Sequence, residues 1–259
     1  MPNGNWIHKK YDNLNTLNAL KNAMKNNDVF WGIACGMGSD IGDYDESSYA
    51  RFILDSNTNS DVKLYPIAFL DFANIRNMNK VQMLKYFSYL KSLGYIGVKM
   101  HPRFAKFSFT DESIPRIIDI LNESGLMPFL CTYIWGKGHC NSSSPEMMMN
   151  ILDSINCDSK IVLVHGGAVR LMEYVEICRA YPNTLLDLSL TLCKYMGSSL
   201  DLDLEFCFKY FDRRICVGSD GPEFDAKELR ERFEKFSENL SIEKKENIAH
   251  KNLMNFLYL

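Results

Sequence analysis

KIVLVHGGA, residues 160–168, places four apolar residues directly before a histidine and two glycines. The run Ile161–Val164 is continuously apolar, which is typical of a strand covered on both faces of a parallel sheet. Six more such runs occur along the chain: Val29–Cys35, Leu64–Phe72, Ile96–Met100, Met127–Thr132, Thr184–Leu190 and Ile215–Gly218. The sequence therefore predicts seven strands of parallel sheet.

Amphipathic stretches of helical period separate these runs. Ser144 and Pro145 are a predicted N-cap and first helical residue, and Gly94 and Gly125 are predicted helix stops. The predicted helices are Asn15–Asn27, Asn77–Leu93, Glu112–Ser124, Pro145–Ile155, Ala168–Ala180, Ala226–Leu240 and Ile242–Leu257. Strand starts recur roughly every 25 to 35 residues, the size of βα units. This α/β pattern predicts a TIM-type (β/α) barrel or, alternatively, an open doubly wound sheet.

Composition and charge exclude several classes of protein. The 259 residues are 46% hydrophobic and 24% charged, as in globular chains, and no linker divides them, so residues 1–259 are predicted to form one domain. The net charge of −3 shows no basic surplus of the kind that indicates binding to nucleic acid or to an anionic membrane. The eight cysteines form no CxxC pair, which argues against a zinc ribbon or a thioredoxin site. Without a signal-like start or an apolar span, a reduced, cytoplasmic protein is expected.

Polar residues follow the predicted strands, where a barrel carries its catalytic groups. His165 is a candidate metal ligand or proton-transfer group, and the glycines after it allow backbone to approach a ligand closely. Asp220, after ICVGS, is a candidate base or metal ligand, although an aspartate in SDGP also suits a turn. Further polar residues at or just beyond strand ends are Asp40, Asp43, Asp71 and Glu223, while Asp187 and Ser189 lie within the sixth run.

Four other residues are candidates for substrate binding. His101 and Arg103, in HPR after the third run, could engage an anionic group, or could lie in a solvated loop. Lys99 within that run could point into the barrel or hold its ammonium at the rim. Tyr133 follows the fourth run, and His139 in GKGHCNSSS is interpreted as a loop residue rather than a ligand.

Six stretches in this order resemble the amidohydrolase-related family of metal-dependent TIM-barrel hydrolases and decarboxylases, in particular the branch of aminocarboxymuconate-semialdehyde decarboxylase. They are LKSLGYIGVKMHP, MPFLCTY, KIVLVHGGA, YPNTLLDLSL, RRICVGSDGPEF and ENIAHKNLMNFL. The strand-HxGG and GSD-x-P segments are the most specific, and the resemblance covers residue 12 to the end. It implies a (β/α)₈ barrel with a metal site at the carboxyl ends of the strands.

The resemblance also implies site residues, and here the chain departs from the family. Asp220 matches the aspartate after the eighth strand, His165 matches the histidine after the sixth, and Cys131 occupies the fifth-strand histidine position. The HxH pair of the first strand is absent, and the seven runs correspond to strands two to eight. Two explanations stay open: the recorded chain begins downstream of that strand, or the protein has lost the metal.

These observations lead to an expected function and a rival. The first is a metal-dependent enzyme that hydrolyses a C–N, C–O or lactone bond of a small anionic metabolite, or decarboxylates it. His165, Asp220 and Cys131 would be the ligands of a divalent metal, with zinc favoured because imidazole and thiolate bind it well. The rival is a non-catalytic barrel that serves in binding or assembly. A homodimer partner, or the segment Pro2–His8, is expected to cover the open sheet edge.

Overall fold

The computed structural model describes residues 16–36, 45–133 and 144–259. Seven strands lie in these ranges and are hydrogen-bonded in sequence order. They are β1 Trp31–Cys35, β2 Lys63–Phe69, β3 Gly97–Met100, β4 Met127–Cys131, β5 Ile161–Val164, β6 Thr184–Asp187 and β7 Ile215–Cys216. The registers of β1 with β2, β2 with β3, β5 with β6, and β6 with β7 are all parallel. Sequential parallel strands linked by helices confirm the predicted TIM-type (β/α) fold.

The chain divides into two compact units, Met1–Phe129 and Leu130–Leu259, and the prediction of one domain over residues 1–259 stays a prediction. The first unit holds β1 to β3 and the start of β4. Its helices are α1 Thr16–Lys25, α2 Glu46–Asp55, α3 Phe72–Ile75, α4 Lys80–Ser92, α5 Pro102–Ala105 and α6 Ser113–Glu123.

Local signals explain why these segments fold as they do. Asn79 and Gln82 form a capping box at the start of α4, and Gly94 follows its end at φ 93°, as predicted. Tyr49 and Tyr95 are buried and stacked, with ring centroids 6.5 Å apart. Gly97 permits a close approach inside the sheet, because a Cβ there would lie 2.4 Å from the Met127 carbonyl oxygen.

The second unit holds the end of β4 and strands β5 to β7. Its helices are α7 Pro145–Ser154, α8 Leu171–Ala180, α9 Thr191–Lys194, α10 Leu200–Tyr210, α11 Ala226–Ser237, α12 Ile242–Glu246 and α13 Asn252–Leu257. A 3₁₀ turn spans His165–Arg170 and a π-helical turn spans Asn247–Lys251.

Several predicted boundaries in this unit are confirmed and others are wrong. Ser144 accepts a hydrogen bond from Met147 N at 3.2 Å, so it is the predicted cap of α7. The helix predicted from Ala168 begins instead at Leu171, because residues 166–168 have positive φ. The helix predicted over Ile242–Leu257 is confirmed at both ends, since α12 begins at Ile242 and α13 ends at Leu257, with the π-helical turn between them.

No helix in the described ranges is both long and apolar enough to cross a membrane. Asp40, Asp43, His139 and the segment Pro2–His8, which carry parts of the sequence interpretation, lie outside the described residues.

Candidate active site

The turn after β5 has an unusual backbone. His165, Gly166, Gly167 and Ala168 all have positive φ, between 53° and 73°, so the chain makes a left-handed turn there. The glycines make this possible: a Cβ on Gly167 would lie 2.1 Å from the Tyr174 ring. The turn leaves the His165 side chain buried, with 4% of its surface exposed.

The hydrogen bonds of His165 fix its tautomer. Its Nδ1 lies 2.9 Å from the Ser189 carbonyl oxygen, which can only accept, so Nδ1 carries a proton. The Ser189 hydroxyl donates to Asp187 Oδ2 at 2.5 Å, and therefore its oxygen, 3.2 Å from Nδ1, also faces the imidazole as an acceptor. In the neutral ring the lone pair then sits on Nε2.

Asp187, the last residue of β6, organises the group around Ser189. Its Oδ1 accepts from Ser189 N at 3.0 Å, and the Cys216 thiol donates to the same oxygen at 3.9 Å. Burial is the main cause that raises the pKa of Cys216 well above its usual value, so this thiol stays protonated. Gly218 lets the segment after β7 approach, since a Cβ there would lie 3.1 Å from Ser189 Cβ.

Two threonines tie the left-handed turn to neighbouring elements. Thr132, just after β4, accepts from Gly167 N at 2.8 Å and donates to the Val164 carbonyl oxygen at 2.7 Å. Thr191, at the start of α9, donates to the His165 carbonyl oxygen at 2.6 Å. Both side chains are buried, so these bonds hold the backbone of His165 in one position.

An aromatic and charged rim adjoins His165. The Tyr133 ring stands edge-on to the imidazole with centroids 6.0 Å apart, and Lys194 Nζ lies 5.9 Å from the same ring centroid. Lys194 Nζ is also 3.8 Å from Glu223 Oε1. Burial, followed by a hydrogen bond with Tyr133, raises the pKa of Tyr195 to about 12.

The predicted metal ligands are placed as follows. Cys131, at the end of β4, is buried, and Asp220, after β7, is exposed with φ 59°. Among the described residues, no three histidine, cysteine, aspartate or glutamate side chains form a group that could hold a metal ion. His165, Cys131 and Asp220 are suitable zinc donors by type, but the described residues do not assemble them into a complete site.

Three predicted substrate-binding residues lie in the first unit. Lys99 is a half-buried residue of β3. His101 caps α5, since its Nδ1 accepts from Phe104 N at 3.4 Å. The Arg103 guanidinium carbon lies 4.6 Å from the Phe104 ring centroid. Their predicted role in substrate binding stays a prediction.

Sequence reasoning found His165, Asp187, Ser189, Tyr133 and Glu223 as strand-end polar residues, but it did not identify Lys194 or Thr191. Both residues follow the sixth apolar run within LTLCKY, where a single lysine among apolar residues is the only signal. The contact of His165 with Ser189 joins residues 24 apart and depends on the turn at Leu190, whose φ is 65°.

No family model and no curated protein matches this sequence. Solved structures do match in fold. An uncharacterized TIM-barrel protein of Bordetella bronchiseptica superposes with a TM-score of 0.77 at 16% identity, covering 93% of this chain and 82% of that one. A dihydroorotase from Campylobacter jejuni gives 0.65 at 15% identity, covering 96% and 81%. For 5-carboxyvanillate decarboxylase from Sphingomonas paucimobilis the values are 0.59, 11%, 92% and 82%.

Other similar structures carry the name amidohydrolase. At these identities the likeness establishes the TIM-type fold. The names of the similar proteins, hydrolases and decarboxylases, agree with the family that the sequence resembles, while the branch stays a prediction.

Proposed function

We propose that this chain is an enzyme of the amidohydrolase type that hydrolyses a C–N, C–O or lactone bond of a small anionic metabolite, or decarboxylates it. The observation that carries the proposal is the buried His165, held at the end of β5 in one tautomer by Ser189. A dihydroorotase and a carboxyvanillate decarboxylase share the fold, so both kinds of reaction are represented among similar structures.

His165 would move the proton in either reaction. In a hydrolysis, Nε2 accepts a proton from the attacking water and later returns it to the leaving group. In a decarboxylation, the protonated ring donates a proton to the carbon that loses carbon dioxide. Ser189 and Asp187 keep the ring in place during both steps, because Nδ1 remains bonded to acceptor oxygens.

Asp220 and the cationic residues have proposed roles in addition to that of His165. Asp220 would act as a base, since an exposed carboxylate after β7 can take a proton from water. His101, Arg103 and Lys99 would orient the anionic group of the substrate, and Tyr133 would contact its body. These assignments rest on the positions of the residues directly after, or within, their strands.

Zinc is the proposed metal, because imidazole, thiolate and carboxylate are its usual ligands. A bound divalent ion would polarise a carbonyl group or activate water. The proton transfers assigned to His165 use Nε2 and need only the chain's own residues. Because Nδ1 is bonded to Ser189, a bound zinc ion would take that same Nε2, and the Asp220 carboxylate would then be the base.

The test is a turnover screen of the wild-type chain against lactones, cyclic amides and aromatic carboxylic acids. Replacing His165 by Gln should lower turnover by about 10²- to 10⁴-fold, as expected for a general acid–base group. His250→Gln is the matched control, because it makes the same change at a histidine of the π-helical turn to which no proton transfer is assigned. Asp220→Asn should abolish turnover. A His165→Gln variant with full activity would contradict the proposed role of His165.

The second candidate is a non-catalytic barrel that binds a small molecule or assembles with other proteins. It is favoured by the lack of a three-donor group among the described residues. Elemental analysis of freshly purified protein separates the two: about one equivalent of zinc favours the enzyme. No metal, together with no turnover in any arm of the screen, favours the binding protein.

A further inference from the structure

Lys194 is a cation that shares an aromatic neighbour with His165, because the Tyr133 ring lies near both side chains. It is the last residue of α9, and its amide nitrogen donates to the Leu190 carbonyl oxygen at 2.8 Å. Its side chain is one-third exposed, at 33%, so the ammonium is open to a small ligand.

Two hydrogen bonds hold α9 rigidly. Thr191 joins its first turn to the His165 carbonyl oxygen, and the buried Arg232 donates through Nε to the Leu192 carbonyl oxygen at 2.7 Å. A short helix fastened at these points presents Lys194 in one place relative to His165. Such fixed backbone lowers the entropy cost of binding a ligand.

The surroundings of the ammonium are suited to an anion. The face of the Tyr133 ring is 5.9 Å away, and the nearest carboxylate oxygen, Oε1 of Glu223, is 3.8 Å away. That separation exceeds hydrogen-bonding distance, so the ion pair is loose and the N–H donors are not spent on Glu223. A ligand carboxylate or phosphate can therefore replace Glu223 as the partner of Lys194.

We propose that Lys194 binds a further anionic group, a carboxylate or a phosphate, of the small molecule that His165 acts upon, in addition to the group assigned to His101, Arg103 and Lys99. The Glu223 carboxylate pairs with the Lys194 ammonium when no ligand is present. The inference rests on the proposed function for the identity of the reaction, but not for the binding itself. Tyr133, which contacts both residues, would line the space between them.

The experiment is calorimetric titration of the full chain with malonate and, separately, with inorganic phosphate at low ionic strength. We expect saturable binding, weakened about tenfold in Lys194→Met because a charge-assisted hydrogen bond is lost. Lys194→Arg should keep most of the affinity. Saturation by malonate alone indicates a carboxylate substrate, and saturation by phosphate alone indicates a phosphorylated one.

Glu223→Gln is expected to change anion affinity in the opposite direction to Lys194→Met. Removing the competing carboxylate should tighten anion binding by about two- to fivefold, the scale of an exposed ion pair. In the Lys194→Met background the same change should have no effect. If the ion pair served only the structure, the effect of Glu223→Gln on anion binding would not depend on the presence of Lys194.

Matched controls come from α11, where Lys227 Nζ and Glu231 Oε1 are 3.7 Å apart on an exposed face. Lys227→Met and Glu231→Gln change the same charges and should leave anion binding unaltered. If Lys194→Met does not fold, as judged by circular dichroism, Lys194→Gln takes its place.

Two results would overturn the inference: binding in Lys194→Met equal to that of the wild type, or no saturable binding of either anion. The titration needs no turnover. Anion binding that depends on Lys194, without any hydrolase or decarboxylase activity, would therefore contradict the proposed function and still support the anion site.

Discussion

Four residues after β5, β6 and β7 adopt positive φ although none is glycine: His165, Ala168, Leu190 and Asp220. Each such residue costs roughly 1 to 3 kcal/mol of strain, which persists only where the surrounding contacts impose it. Leu190 forms a tight γ-turn, with Thr191 N donating to the Ser189 carbonyl oxygen at 2.7 Å. Strain after three successive strands, one of which ends at His165, supports the assignment of a functional site at these strand ends.

Gly167→Ala tests the left-handed turn. The new Cβ would meet the Tyr174 ring at 2.1 Å and would also force alanine into φ 73°, so we expect a loss of about 3 kcal/mol or more in the free energy of unfolding. Gly197→Ala is the control, because its φ is 83° but no atom lies within 4 Å of the added Cβ. It should cost only about 1 kcal/mol. Urea denaturation of both variants measures the difference; equal losses would contradict the steric argument.

Thr191→Val tests the bond between α9 and the His165 turn. The change keeps the side-chain shape and removes the hydroxyl that donates to the His165 carbonyl oxygen at 2.6 Å. We expect a loss of about 1 to 2 kcal/mol in the free energy of unfolding, because the buried bond is not replaced. Thr191→Ser keeps the hydroxyl and should retain this contribution. A valine variant as stable as the wild type would show that the bond adds nothing to stability.

At the scale of elements, an ion pair between the buried Arg232 and the partly exposed Asp201 joins three helices of the second unit. Arg232 of α11 contacts Asp201 of α10 and the Leu192 carbonyl oxygen of α9, and Lys235 Nζ lies 2.7 Å from Asp201 Oδ2. The hydrogen bond from Arg232 is the first cause that holds the pKa of Asp201 well below its usual value. The folded state therefore binds this proton less readily than the unfolded state.

Asp201→Asn should lower the free energy of unfolding by about 3 kcal/mol at pH 7, because it leaves the charge of Arg232 buried without its partner. The carboxylate contributes its stability above the unfolded pKa of about 4, and this contribution disappears as pH falls toward the depressed folded pKa. The gap between variant and wild type should thus narrow only below about pH 4. Asp203→Asn on the same helix is the charge-matched control, and denaturant midpoints across pH give the comparison.

The strands could be predicted better than the helices, for a physical reason. A strand covered on both faces is a continuous apolar run, and Ile161–Val164 was predicted with both boundaries correct. Helix α10 was not predicted, since LDLDLEF alternates apolar and polar residues with the period of a strand. Its structure buries Leu200 and Leu204 but exposes Leu202, which the helical period of 3.6 explains.

Predictions also failed where backbone turns are decided by distant contacts. The sixth apolar run predicts a strand that continues to Leu190, but β6 ends at Asp187. The residues after Asp187 turn and bring Ser189 to His165. The position of His165 at a strand end could be predicted, but not its hydrogen-bond partner. Likewise, Lys194 gains its place near Tyr133 only through the turn and α9.

At the scale of the whole molecule, buried thiols are expected to lower the free energy of unfolding at alkaline pH. Burial raises the pKa of Cys178 and Cys193 to about 11 each and that of Cys207 to about 12. All three remain protonated in the fold at pH values where an unfolded thiol, with a pKa of about 8.5, has lost its proton. The unfolded state then binds fewer protons, so stability falls as pH rises.

We expect the free energy of unfolding to be level up to about pH 8 and to decline between about pH 9 and pH 11, by at most about 1.4 kcal/mol per pH unit for each such thiol. Cys178→Ala should make the decline shallower. Cys157→Ser, at an exposed cysteine, should leave the slope unchanged. Urea titrations at four pH values measure these slopes, and an equal decline in all three proteins would refute the assignment to buried thiols.

The close contact of Gly97 with the Met127 carbonyl oxygen has an evolutionary consequence. Any side chain at position 97 begins with a Cβ, and that atom would lie 2.4 Å from a backbone oxygen that cannot rotate away. A library randomised at this codon and selected for soluble expression should therefore return glycine almost alone. Position 125, where an added Cβ meets nothing closer than the flexible end of Lys91 at 3.8 Å, should drift further, toward asparagine, which tolerates its φ of 69°. Divergent descendants of this chain would thus be aligned more securely on residue 97 than on residue 125.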